Sequence, residues 1–578
     1  MSSFFLALLL LASVEADATA APADDPVLLR ALERELVRSF EGLANVESDP
    51  LYFLAYRATE SRSLTVAGAY GALHRSDRSH DRRLDVAARI GSPELDSTHQ
   101  IRGEFEFGPS PATATLPLED DEEAIAAAAW SATDRAFKEA LQRFLKVKTN
   151  EAVKVEAEDA SPDFSIEPPS DYREPMVDLV ADEERWQERV RRLSAVFREY
   201  PFLHESSISL QAEAENRVYA SSEGTRLIFG RTHFRLSIEA STKADDGMDL
   251  QLFDSFEGPS EETMPDDARI EAAVHDLAAR LGRLKDAPVV EPYAGPAIIM
   301  NRACGVFFHE IFGHRIEGHR QKNVDEGQTF TKKVGTEIMP PFLSITDDPT
   351  RRRFGATYLN GHYKYDDEGV PAQAVPLVRD GVLENFLMAR SPIEGFPDSN
   401  GHGRCSAGNA PVSRQGNLFV DASDRVSFER LREMLVEEVR AQGKPYGMIF
   451  HDISGGFTTT QRRGPQAFKV IPLYVVRVYA DGRDDEVVRG VDLVGTPLAS
   501  ITKMIAAADD DAVFNGSCGA ESGWVPVSAV APSVLVKEIE IEKKAKSQER
   551  PPLLPTPLHD ETDGAPSDDG ADGQEDAQ

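Results

Sequence analysis

Chemistry-bearing residues concentrate between Ala303 and His319, ACGVFFHEIFGHRIEGH, where three histidines and two glutamates punctuate an apolar run at helical spacing. Neutral imidazole is a good ligand for Zn²⁺, and a glutamate beside it can act as general base toward a metal-activated water. His309, Glu310 and His314 read as His-Glu, three residues, then His. That is one residue longer than the zinc-protease spacing in which histidines four apart share a helix face. At roughly 100° per residue, five steps leave the two imidazoles about 140° apart around a regular α-helix. The spacing therefore predicts a widened turn, a one-residue π-bulge, with Gly313 easing the distortion.

A catalytic zinc usually has three protein ligands and a water, so another donor is needed. Glu317 and His319 are close in sequence; Cys518, far downstream in NGSCGAESGWVPV, would offer the softest donor. Glu317, three residues past His314, also suits an outer partner that fixes an imidazole tautomer. On spacing alone, an ordinary polar helix end beneath a loop is an equal reading. In the Gly-rich NGHGRCSAGNAP, Arg404, beside His402, could clamp a substrate carbonyl or carboxylate, against the plainer reading of a surface turn. Asp366, Asp367 and Glu368 before Gly369 lack the oxygen spacing of an EF-hand and read as a turn. His451 reads as a core or loop histidine. No Walker-type phosphate loop and no Gly-x-Ser-x-Gly elbow occurs, which disfavours nucleotide binding and serine hydrolysis.

These residues need a framework. Residues 25–45 carry apolar positions at helical spacing, 120–147 and 181–200 do likewise, and another helix is expected at 266–284. Between them, 52–89 and 206–242 alternate apolar and polar residues as antiparallel strands, with turns expected at Ser76-Asp77, Gly91-Ser92 and Ala220–Gly224. Residues 150–175 read as an exposed connector, and prolines from Pro288 to Pro296 mark a boundary. From 297 to 541 short β segments and Gly-rich turns dominate, interrupted by helices at 426–442 and 497–508. The expected class is α+β: an amino-terminal mixed domain or domains at 21–290, then a large antiparallel or barrel-like β domain at 291–542 carrying the metal-binding helix.

With 578 residues the chain is long enough for two to four units. A formal charge of −35 argues against nucleic-acid binding, which calls for a basic footprint. No stretch suits a stable membrane span. FFLALLLLA at 4–12 followed by Ala18-Thr19-Ala20 looks like an export signal covering 1–20, implying a periplasmic or extracellular location rather than a cytoplasmic one. Cys304, Cys405 and Cys518 are too few for a disulfide scaffold; the first two read as packing residues. Residues 543–578, rich in Pro, Asp and Gly, are expected to be a disordered acidic tail.

HEIFGHRIEG, YDDEGVPAQ at 365–373, NGHGR at 400–404 and CGAESGWVPV at 518–527 stand in the order found in the TldD/PmbA metallopeptidases, which the chain resembles over roughly 200–540. The resemblance implies one Zn²⁺ per subunit held by His309, His314 and Cys518, with Glu310 activating water. It further implies a YDDEG segment lining the active-site region and a homodimer, or a heterodimer with a second family member, whose cleft admits unfolded or short peptides. After Cys518 a Gln usual in the family is replaced by Glu521-Ser522-Gly523-Trp524, which bears on substrate preference. The alternatives are a non-catalytic partner subunit and an exported peptide-binding protein.

Overall fold

The computed structural model describes residues 25–101, 110–151, 159–323, 325–462, 467–545 and 549–558. The expected leader, residues 152–158 of the expected connector and residues 546–548 and 559–578 of the expected tail lie outside the described residues.

Two long antiparallel hairpins dominate the first half. Leu51–Ala69 pairs with Ala72–Ser92, and Glu205–Ser221 with Arg226–Lys243. Leu51–Ala69 also pairs with Glu205–Ser221, joining them into one eight-stranded sheet. Alternation with period two gives this sheet two unlike faces. Leu54, Tyr56, Leu64, Val66, Ile208 and Leu210 point into cores closed by four helices. These are α1 (Val27–Leu43), α2 (Glu122–Glu151), α3 (Glu183–Ala195) and α4 (Asp267–Asp286). Asp182 and Asp266 cap α3 and α4 by accepting the Arg185 and Arg269 backbone N–H at 3.0 and 2.9 Å. On the opposite face Phe53, Ala55, Tyr219 and Leu227 pack together, and Arg57 and Arg217 reach the backbone and carboxylate of Asp367 in the second half.

The first hairpin corrects one expected turn. Ser76 and Asp77 lie inside a continuous strand, opposite Val66 and Thr65, and the reversal is at Tyr70-Gly71, with φ of 48° and 82°. A two-residue turn with both φ positive matches the strand twist, and Gly71 supplies the position that tolerates it most readily. The polar run from Arg75 to Asp81 is an exposed strand rather than a loop.

In the second half five strands close a barrel: Tyr293–Ile299, Tyr446–Thr458, Phe468–Tyr479, Val491–Gly495 and Val534–Lys543, the last pairing back to the first. A six-stranded sheet stands beside it, ending in Asn417–Ala422, Gly523–Ala531 and, at its edge, Ala512–Ala520. The class is α+β with a barrel in the carboxy-terminal part. The helix expected at 497–508 stops at Thr502; Met504–Ala508 is a strand paired with Val534–Val536, so sheet pairing overrides local helix preference. The two halves share a seam, since Tyr474 and Val476 pack with Leu277 and Leu281 of α4.

Candidate metal centre

Helix α5 (Asn301–Ile311) lies between the barrel and the six-stranded sheet, and every residue from Ala303 to Ile311 is buried. A helix apolar nearly all round belongs in a core, which is why a polar His-Glu pair at its end stands out. Gly305 lets it approach the sheet: a Cβ there would lie 3.1 Å from that of Ala529. The expected π-bulge is not what forms. The α-helix ends at Ile311, Phe312 turns aside at φ −115°, and Gly313–Arg315 make a 3₁₀ turn in which the Arg315 N–H reaches the Phe312 carbonyl at 2.8 Å. The extra residue is absorbed by a break and a tighter turn rather than by a wider one. Gly313 is needed for space, because a Cβ there would fall 1.9 Å from Oε1 of Gln415, whose Nε2 lies 3.5 Å from the His309 carbonyl.

The break aims both imidazoles at one point. Nε2 of His309 lies 3.1 Å from Sγ of Cys518, and Nε2 of His314 lies 3.3 Å from it. All three donor atoms fall within 4.8 Å of one another, and all three residues are buried. Tetrahedral zinc with Zn–N near 2.1 Å and Zn–S near 2.3 Å would separate its N and S ligands by about 3.6 Å, so the cluster fits the ion with little movement. Burial alone would raise the Cys518 thiol, but His314 and His309 outweigh it and hold its pKa well below the usual thiol range. Burial opposes charge on the histidines as well, and Cys518 outweighs it, raising both.

Around these donors lies a layer of buried ion pairs. Glu317, fully buried, sits 3.2 Å from Nδ1 of His314 and accepts from Nε of Arg320 at 2.8 Å, with Nε of Arg414 at 3.6 Å. Although burial opposes ionisation, His314, Arg320 and Arg414 hold its pKa down to about 2. Arg414 donates to the Cys518 carbonyl at 2.7 Å and to the Ser522 hydroxyl at 2.8 Å, tying the cysteine strand to the same carboxylate. His319 is turned away from the donor cluster: its Nε2 meets Glu521 at 2.5 Å, and Arg320 reaches the other oxygen of Glu521 at 2.8 Å. Glu521 therefore joins the helix break to the turn after Cys518.

Glu310 is buried next to His309, its side chain against the strand Tyr446–Thr458, where a Cβ on Gly456 would meet its Cγ at 2.8 Å. Among the described residues nothing hydrogen-bonds its carboxylate. His402 is fully buried, with Nε2 at 3.3 Å from Asp347 and Nδ1 at 3.0 Å from the Asn400 carbonyl, so its ring edges are occupied by structural contacts rather than turned to a substrate. Arg404 is buried beside Tyr363 and donates to the Gln415 carbonyl at 2.5 Å. Asp366–Glu368 form a turn, as Gly369 at φ +86° indicates, whose Asp366 accepts the Val370 and Gly403 N–H at 2.9 Å. His451 packs edge-on to Tyr474. Cys304 and Cys405 are buried and free. Arg320, Arg414, Gln415 and Gly456 carry no local signature; only the fold brings them to the site.

Residues 293–543 match the family model of the PmbA/TldA metallopeptidase C-terminal domain. This part of the chain is similar to the PmbA/TldD family. A metalloprotease of Archaeoglobus fulgidus is 28% identical over 270 residues, 46% of this chain and 58% of that protein. A zinc metalloprotease TldD homolog of Saccharolobus solfataricus is 24% identical over 377 residues, 61% of this chain and 76% of that protein. The chain spans about half the length of the first curated relatives it matches. The crystal structure of TldE from Thermococcus kodakarensis shares the fold, with a TM-score of 0.59, 14% identity, and coverage of 89% of this chain and 100% of that one. Within the matched region the donor cluster bridges the helix break and the edge strand of the six-stranded sheet.

Proposed function

We propose that the protein is a zinc-dependent peptidase acting on unfolded or short peptides, with His309, His314 and Cys518 as ligands and Glu310 as general base. The observation that carries this reading is the convergence of two imidazoles and a thiol within 4.8 Å beside a buried glutamate free of hydrogen bonds from described residues. Zinc, when bound there, would supply a Lewis acid for the scissile carbonyl and acidify a water. Glu310 takes a proton from that water and delivers it to the leaving amine. Glu317 lies 3.2 Å from His314 Nδ1, so a proton held there would leave Nε2 as the metal-binding nitrogen.

Two open strand edges support a peptide substrate. Ala512–Ala520, which carries Cys518, is the last strand of its sheet. Beyond Phe450 the strand Tyr446–Thr458, which backs Glu310, no longer pairs with Tyr293–Ile299, and among the described residues its one strand neighbour there is Phe468–Tyr479. An extended peptide can add its backbone to such an edge. Phe457 and Trp524, 58% and 69% exposed, flank the two edges and offer contacts to apolar side chains. Export through the leader, and pairing with a second copy or a second family member, belong to the same proposal.

Glu310→Gln tests it: zinc content by elemental analysis stays near one per chain while hydrolysis of a fluorogenic peptide panel is lost. Cleavage at the parent rate removes Glu310 from the reaction.

A further inference from the structure

We infer that Arg404 receives a carboxylate of the bound peptide, so that substrates are selected by an anionic group placed beside the metal donors. The inference rests on reading the cleft as a peptide site. Arg404 is 6% exposed; among the described residues no carboxylate makes an ion pair with it, and Glu215, near enough to feel its charge, is held by Arg217 at 3.0 Å. Its contacts are the Tyr363 ring, 4.7 Å from the guanidinium carbon, and the Gln415 carbonyl at 2.5 Å. The arginines around it are provided for: Arg217 has Glu215 at 3.0 Å, Arg231 has Glu215 at 3.8 Å, and Arg414 has Glu317 at 3.6 Å. Burial, with the charges of Arg414, Arg217 and Arg231, pushes the pKa of Arg404 down to about 10.

A buried cation among like charges costs folding free energy unless a counter-charge arrives. A neutral peptide carbonyl would fill a donor position and leave the charge. A carboxylate neutralises it and matches the planar fork of the guanidinium. The place is also right: Gln415, whose backbone binds Arg404, sends its side chain to the His309 carbonyl and the space over Gly313. Gln415 thus connects Arg404 to the helix break. In a chain of net charge −35 this is a local positive field, opposite in sign to the whole.

The carboxylate has two sources, the free carboxy terminus or an Asp/Glu side chain, and binding distinguishes them. Full-length zinc-loaded Glu310→Gln protein is titrated calorimetrically with a short peptide as the free acid, as its carboxy-terminal amide, and as an amide carrying one Glu. The free acid, the Glu-bearing amide or both should bind about 10- to 100-fold more tightly than the plain amide. Adding Arg404→Met should bring that ratio close to one; Arg404→Lys should keep part of it. Acetate, probing the guanidinium without a peptide, should raise the melting temperature of the parent and not of Arg404→Met. Acetate stabilisation without peptide binding would sink the peptide reading and leave the anion site standing. Equal affinity for all three peptides, a ratio that survives Arg404→Met, or no acetate effect would overturn the inference.

Discussion

Glu317→Gln probes how far the metal donors depend on the buried charges behind them. The substitution keeps the shape and removes the charge at a fully buried position. Arg320 retains Glu326 at 3.1 Å and Glu521 at 2.8 Å, so it remains compensated. Arg414 loses its one carboxylate among the described residues and keeps only neutral acceptors, Ser522 and the carbonyls of Cys518 and Gly523. Breaking a buried ion pair costs about 3–5 kcal/mol, and the surviving acceptors place this case near the lower end, about 3 kcal/mol. That is a large share of the 5–15 kcal/mol typical of a folded protein. His314 also loses the anion that fixes its tautomer, which costs about 10- to 100-fold in metal affinity. Denaturant unfolding of metal-free protein reads the first quantity, and competition with a chromophoric zinc chelator reads the second. An unfolding free energy within about 1 kcal/mol of the parent, together with unchanged zinc affinity, would refute the reasoning; lost stability with intact affinity would refute the tautomer step alone.

Cys518→Ser should lose zinc on dialysis, because a hydroxyl replaces a thiolate held deprotonated by two histidines; retention of one zinc per chain in elemental analysis would move the third ligand elsewhere. Gly313→Ala should cost about 1–3 kcal/mol, since its Cβ must displace a side chain, Gln415, that is 1% exposed; an unchanged denaturation midpoint would mean that Gln415 has room to move. Burial and then the neighbouring Glu368 raise the pKa of Asp366 from 3.8 to about 8, so the folded state binds this proton more tightly than the unfolded chain. Its stability contribution is full below pH 3.8 and is lost as pH rises through about 8. Glu368→Gln removes the like charge, so the variant should lose less stability than the parent between pH 5 and pH 8; equal losses in denaturant titrations at the two values would argue against the coupling.

Residue types and local order determined much of this protein. Histidine and cysteine, 13 and 3 in the whole chain, are few enough that their places in HEIFGHRIEG and CGAES could be read as a donor set from the chain alone, and four motifs in order pointed to a family. The barrel-like β domain followed from short alternating strands, and the amino-terminal helices from amphipathic spacing. Other features only the tertiary structure decided. Five-residue spacing demands a departure from the regular helix but cannot choose between widening and breaking it; in the fold the helix ends at Ile311 and a 3₁₀ turn follows, with Gln415 filling the space over Gly313. Alternation cannot say where a long polar strand ends, so the turn at Tyr70-Gly71 was hidden by the charged run that follows it. The ring edges of His402 were taken up by Asp347 and Asn400, and Arg404 was buried without an ion pair to a carboxylate among the described residues. A side chain's partners are set by which distant strands are brought together, and that is a property of sheet pairing hundreds of residues apart rather than of neighbours in sequence.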